Sequence, residues 1–290
     1  MEVCRSLLSW VRFEHRASLC LSLVLGFVAL VAGLGAAQAE ESRLDAILKR
    51  DKLIVAVSNS TMPTGFIDES GTHTGFEIEF ARLLAKSILG SPDKIEFVVV
   101  NAAGRFPAVL SGRVDFGIAS ATIYPDRAVR LAFTRPYMDS TTFVVVPKDS
   151  PIKKIEELDS ADVVFGATNT AAMIDRAKRY APKAKAMYFD TDSAAFQALK
   201  SRRVGAVQAD SAAAEFQVAR SNGAWVKLPG QLGSLNGNAL FMKPGDFQLW
   251  LCLDTIVGEY THGSRYDEYQ ALYRKWFGAE PPPARFYSAK

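Results

Sequence analysis

The chain has 290 residues, with 34 basic and 31 acidic side chains and a formal net charge of +3. An excess this small and this evenly spread excludes the basic footprint of a nucleic-acid-binding protein. The three histidines, His15, His73 and His262, stand far apart, so no metal-ligand spacing appears, and no cofactor motif is present.

Arg5, Arg12 and Arg16 precede a leucine- and valine-rich run from Leu19 to Leu34, and Ala37-Gln38-Ala39 follows. That order predicts a signal peptide over residues 1–39, cleaved after Ala39, and hence a periplasmic mature protein. An uncleaved anchor is the alternative, since the apolar run approaches the lower length limit for spanning. Cys20 lies at the start of the apolar run, which makes it a poor lipoprotein cysteine. Cys4 and Cys20 leave with the leader, so Cys252 stands alone and no internal disulfide is expected. Its apolar surroundings predict a buried, inert thiol on a helix. Removing the leader's charge of +1 leaves about +2 on roughly 250 residues, enough for two lobes of ordinary size.

From Leu44 to Lys49 the pattern reads as a short amphipathic helix, followed by a strand at Leu53–Val57. Phe66-Ile67-Asp68 and Thr74-Gly75-Phe76 flank a turn signal at Glu69–Thr72 and predict a hairpin. A helix with Ile78, Phe80, Leu83, Leu84 and Ile88 on one face comes next, then a strand at Ile95–Val100 and a short helix at Arg105–Leu110. Val114–Ser120 is a buried strand. It breaks through small residues to Pro125, which suits the first position of a helix. Arg127 falls in that first turn, where the backbone field disfavours a cation. Either an anion is held there, or Arg127 pairs with Asp126 or faces water.

The rest alternates in the same way. Strands are expected at Phe143–Val146, Val163–Ala167, Ala186–Phe189 and Val204–Asp210, and connecting helices at Ala171–Tyr180, Asp192–Lys200 and Ser211–Arg220. Thr170 is a credible cap for the first of these helices. Asp210 sits at the C-terminal end of a strand, where open α/β sheets bind ligands, and it is equally placed to cap the helix that follows. A strand at Ala239–Met242 and helices at Phe247–Tyr260 and Ser264–Trp276 complete the chain.

In order, the chain carries Gly112-Arg113-Val114-Asp115, Thr122-Ile123-Tyr124-Pro125-Asp126-Arg127, Phe133-Thr134-Arg135-Pro136-Tyr137 and Lys275-Trp276-Phe277. That series resembles the family 3 periplasmic solute-binding proteins, the amino-acid receptors of ABC importers, over nearly everything after the first forty residues. The resemblance implies an α/β, two-lobed fold, each lobe a mostly parallel sheet flanked by helices, joined by two hinge crossings. It places one lobe at 40–138 and 236–290 and the other at 139–235, with hinges near Met138–Thr142 and Gly233–Asn236. By family position Arg127 takes a ligand carboxylate, helped by the Thr122 hydroxyl and the backbone at Ser120, and Asp210 takes the α-ammonium.

Thr64 stands where the family carries an aromatic lid. Phe66 is the second aromatic of that pattern and reaches either the pocket or the core. Asn169-Thr170-Ala171 replaces the usual Gly-Thr-Thr, so Thr170 is kept at the pocket edge and one hydroxyl is lost. Arg105 lies near the cleft mouth, or is a solvated residue at a helix start. The expected partners are a small zwitterionic ligand, polar or acidic rather than large and apolar, and an inner-membrane ABC permease. A monomer and no enzymatic activity are expected. The rivals are an enzyme on the same scaffold, similar to the cyclohexadienyl dehydratases, and the sensor module of a signalling receptor, which would continue into a transmembrane or kinase segment.

Overall fold

The structure, a computed structural model, describes residues 41–282. The leader, its cleavage site, Cys4 and Cys20 lie outside the described residues, as does the tail beyond Pro282. No helix among the described residues is long and apolar enough to cross a membrane.

The chain runs α1 (Arg43–Arg50), β1 (Leu53–Val57), β2 (Ser60–Thr61), β3 (Gly65–Ile67), β4 (His73–Thr74), α2 (Phe76–Leu89), β5 (Ile95–Val99), α3 (Arg105–Leu110), β6 (Phe116–Ile118), the single turn α4 (Pro125–Ala128) and β7 (Ala132–Ser140). After β8 (Thr142–Pro147) come a 3-10 turn at Ile155–Leu158, β9 (Val164–Thr168), α5 (Ala171–Tyr180), β10 (Lys185–Phe189), α6 (Asp192–Lys200), β11 (Ala206–Asp210), α7 (Ser211–Arg220) and β12 (Trp225–Lys227). It closes with β13 (Asn236–Met242), α8 (Phe247–Thr261) and α9 (Tyr266–Phe277).

Two five-stranded sheets result, ordered β5-β1-β6-β13-β7 and β10-β9-β11-β8-β12. In each, two neighbouring pairs are parallel and two antiparallel, which refines the expectation of mostly parallel sheets. The antiparallel members are the strands that carry the chain across. β7 passes into β8 at Ser140–Thr142, and β13 returns from the second sheet to pair with β7 and β6.

β7 was not legible as a strand, because Arg135 and Pro136 interrupt its pattern. Its place at the edge of the sheet tolerates the proline, and Arg135 is held by Asp254 on α8 at 2.6 Å.

The first lobe is built around Phe76, which meets Phe80, Tyr137, Tyr269, Tyr273 and Phe277 with ring centroids 5.3–6.3 Å apart. Gly117 on β6 is required by close approach, since a Cβ there would sit 2.1 Å from the Phe241 ring. Asp115, one residue before β6, is fully buried and accepts from Arg43, Arg50 and the Ile54 N–H, which ties α1 to the sheet. In the second lobe the strand period of two splits the core. Val144 and Val146 of β8 face one cluster with Phe165, and Val145 faces another with Phe196 and Val207.

Cys252 is a free thiol on α8, partly rather than fully buried, and burial pushes its pKa up.

Candidate functional site

The parallel strands of both sheets end at one cleft. Ser58, Ser60 and Thr61 follow β1, Asn101 follows β5, and Ala119–Thr122 follow β6. From the second sheet come Thr168 at the end of β9 and Thr170 beyond it, Asp190 and Asp192 after β10, and Asp210 at the end of β11. This is the carboxyl-end position at which open α/β sheets bind ligands. The cavity measures ≈ 70 Å³, on a scale where a single water needs about 10–15 Å³. The walls touch: Ser193 Oγ donates to the Ser60 carbonyl at 2.7 Å, and Arg176 Nη2 donates to Tyr124 Oη at 2.8 Å.

On the first wall Arg127 is 8% exposed, and its Nη1 donates to the Thr122 carbonyl at 2.7 Å. Its guanidinium lies over the Tyr124 and Phe106 rings, 4.7 and 5.3 Å from their centroids. Burial lowers its pKa, yet an arginine stays cationic. α4 is only four residues long with no side-chain cap, so the backbone field invoked from the sequence amounts to a single turn. The carbonyl and the two rings position this arginine.

Arg105 is also 8% exposed, so it is not the solvated helix-start residue that the sequence left open. Its Nη1 donates to the carbonyls of Ala119 and Ser120 at 2.6 and 3.2 Å. Burial first, then the neighbouring Arg127, pushes its pKa down to about 10.

Ser120 departs from its expected role. Its φ is +47°, and its backbone N–H and hydroxyl both donate to Glu77 Oε1, at 2.7 and 3.0 Å. The N–H that was expected to help hold a ligand carboxylate is therefore already spent. Glu77 is wholly buried, accepts from Tyr137 Oη as well, and has its pKa raised by burial. The sequence reading missed it. The available signal was a carboxylate inside the apolar start of a helix, Phe76-Glu77-Ile78.

The Thr122 hydroxyl donates to Asn238 Oδ1 at 3.0 Å and lies 3.2 Å from Ser140 Oγ, so it braces β13 as well as lining the cleft. Thr64 is buried 3.1 Å from Ser120 Oγ. Phe66 is not at the cleft. It packs edge-on against Trp276, 5.8 Å between centroids, because β3 turns its side chain toward α9.

On the second wall Asp210 caps a helix and lines the cleft at once. Oδ1 caps α7 through the Ala212 N–H at 3.1 Å, Oδ2 accepts from Ser140 Oγ at 2.5 Å, and the residue lines the cleft. Burial raises its pKa against the lowering effect of those bonds. Thr170 lines the rim and caps α5, accepting from the Met173 N–H at 3.3 Å.

Asp192, read from the sequence only as a helix start, also lines the cleft. Burial and then the like charge of Asp210 push its pKa up to about 6, while a hydrogen bond from Thr61 across the cleft opposes the shift. Its signal was the one that drew attention to Asp210, a carboxylate just past a strand end. Among the described residues no group of three or more His, Cys, Asp or Glu side chains is placed to hold a metal.

Residues 53–279 match the model of the bacterial extracellular solute-binding proteins, family 3. The chain belongs to that family. Similar proteins include the ABC transporter glutamine-binding protein GlnH of Bacillus subtilis, 28% identical over 86% of this chain and 89% of the relative. The L-cystine-binding protein TcyJ of Escherichia coli K12 is 28% identical over 87% of this chain and 93% of its own. Among solved structures, the ancestral amino acid-binding protein AncCDT-1, a precursor of cyclohexadienyl dehydratase, superposes with a TM-score of 0.73 at 31% identity. That superposition covers 81% of this solute-binding protein and all of the ancestral chain.

Proposed function

We propose that the cleft captures a free α-amino acid, its carboxylate forked by Arg127 and its ammonium held by Asp210, for delivery to the membrane subunits of an ABC-type importer. One observation carries the reading: a buried guanidinium and a partly buried carboxylate, from different lobes, line the same small cavity. A zwitterion answers both charges together, and an ion of one sign answers only one of them. A ligand that touches both walls favours the closed arrangement, which is the state a transporter can recognise. Family membership and the amino-acid-binding relatives support capture and delivery. In this reading the mature chain begins at Glu40 outside the cytoplasm, acts as a monomer and catalyses nothing.

The likeness to a precursor of a dehydratase gives the enzymatic reading one specific foothold, since Asp192 with a pKa of about 6 could serve as an acid. Turnover of prephenate or arogenate by the purified protein would overturn the binding reading.

The direct test is a thermal-shift panel of amino acids and organic acids, followed by calorimetric titration. A true ligand at 100 times its dissociation constant stabilises by about 2.7 kcal/mol. A panel in which no α-amino acid raises the melting temperature would sink the proposal.

A further inference from the structure

With Arg127 and Asp210 assigned to the amino-acid head, a buried arginine and a partly buried aspartate of the cleft are left without a role. Arg105 has only the uncharged carbonyls of Ala119 and Ser120 as hydrogen-bond partners, and its Nε is buried with no partner at all. Asp192 carries its carboxyl into the cleft from the first turn of α6, with Thr61 as its hydrogen-bond partner. Each residue feels the other's charge, yet no ion pair within 4.0 Å joins them. Both belong to the lining of the cavity that holds Arg127 and Asp210.

We propose that Arg105 and Asp192 form a second subsite that reads the ligand's side chain, and that the side chain ends in a group combining an acceptor and a donor without net charge. A carboxamide meets that description, and so does the second head of a diamino dicarboxylic acid. This rests on the reading of the cleft as an amino-acid site. The acceptor atom faces Arg105 and the donor faces Asp192.

Groups of a single charge fit badly. A distal carboxylate pairs with Arg105 but stands beside Asp192, and a distal ammonium or guanidinium pairs with Asp192 but stands beside Arg105, so each meets one like charge at the subsite. Juxtaposed like charges select against the wrong partner. An apolar side chain is rejected for another reason: it leaves a buried guanidinium and a partly buried carboxylate with nothing to bind, the arrangement that discriminates most strongly against an analogue lacking a polar group. Of the polar or acidic ligands expected from the sequence, the acidic ones are therefore disfavoured here.

Calorimetric titration at pH 7.5 with glutamine, cystine, glutamate, lysine and alanine tests the subsite. Glutamine or cystine should bind about tenfold or more tightly than the other three, a gap of about 1.4 kcal/mol. Glutamine ahead of cystine identifies the carboxamide, and the reverse order identifies the second head. Asp192→Asn should cost the preferred ligand about tenfold more than it costs alanine. Thr191 caps α6, so the helix survives that change. Arg105→Lys, which keeps the charge and loses the fork, should narrow the same preference.

The subsite is overturned if glutamate, lysine or alanine binds as tightly as the best of the five, or if Asp192→Asn weakens all five equally. Failure of every α-amino acid to bind would instead remove the amino-acid reading beneath it.

Discussion

On one wall of the cleft the guanidinium groups of Arg105 and Arg127 are buried, and backbone carbonyls of their own lobe hold them in place. On the other wall Asp192 and Asp210 stand at the starts of helices of nine and ten residues, where the backbone field favours an anion. The first wall is fixed by a clamp: Glu77 grips the N–H of Ser120 while Arg105 grips its carbonyl. The second wall is fixed by helix caps and by contacts that reach across the cleft. The basic wall is thus set before a ligand arrives, and the acidic wall carries a like-charge pair that a bound ammonium would relieve.

The comparison breaks most visibly at Arg127. Arg127→Ala should leave the ligand carboxylate without its partner and cost roughly 2–5 kcal/mol of binding, about one and a half to three and a half orders of magnitude in affinity. Arg127→Lys should also bind poorly, since an ammonium cannot reproduce the planar fork. Calorimetry reads both, and unchanged affinity in Arg127→Ala would remove the carboxylate cradle.

Next is the clamp. Glu77→Ala orphans the Ser120 N–H and the Tyr137 hydroxyl, and should cost about 2–3 kcal/mol of stability in urea unfolding. Glu77→Gln keeps an acceptor and should cost less. Equal loss in the two variants would mean that packing, and not hydrogen bonding, holds the loop.

The acidic wall should show itself through pH. Asp192 titrates at about 6 in the folded protein, above the ordinary 3.8. The folded state therefore holds that proton more tightly than the unfolded chain does. The resulting stability is complete below about pH 4 and is lost as pH rises through about 6. Asp210 and Glu77 are raised too and act with the same sign. Asp192 faces Asp210, Arg105 and Thr61, so its own share is isolated by difference. The empty Asp192→Asn protein should lose less melting temperature between pH 5 and 7.5 than the empty wild type. An equal loss in the two would place the titration elsewhere.

The smallest effect is expected from Ser193→Ala, which removes one hydrogen bond across the cleft, worth about 0.5–1.5 kcal/mol. Small-angle scattering of the empty protein should show a slightly larger radius of gyration. An unchanged curve would make that contact irrelevant to closure.

Much of this was legible beforehand. The helices at Arg105–Leu110, Ala171–Tyr180, Asp192–Lys200 and Ser211–Arg220 coincide with their expected spans, because capping residues and apolar periodicity are local signals. The arrival of Arg127, Asp210 and Thr170 at one cavity followed from strand ends and from family order. What was not legible depends on partners distant in sequence. Glu77 looks like a surface charge, and Arg105 stays open between the cleft and solvent, until the β6 loop supplies their partners. Phe66 stays open between pocket and core until α9 brings Trp276 against it. β12 is three residues long, too short for any period to be read.

The two crossings between the sheets lie side by side, with Ser140 at the end of β7 opposite Asn236 at the start of β13. A pair of neighbouring strands can bow about the line across them, but twisting one past the other or sliding it along its mate would break the ladder. That leaves the lobes one soft degree of freedom in place of three. Closure confined to that motion would bring the same residues opposite each other each time, returning Ser193 to the Ser60 carbonyl and Arg176 to Tyr124 without a search.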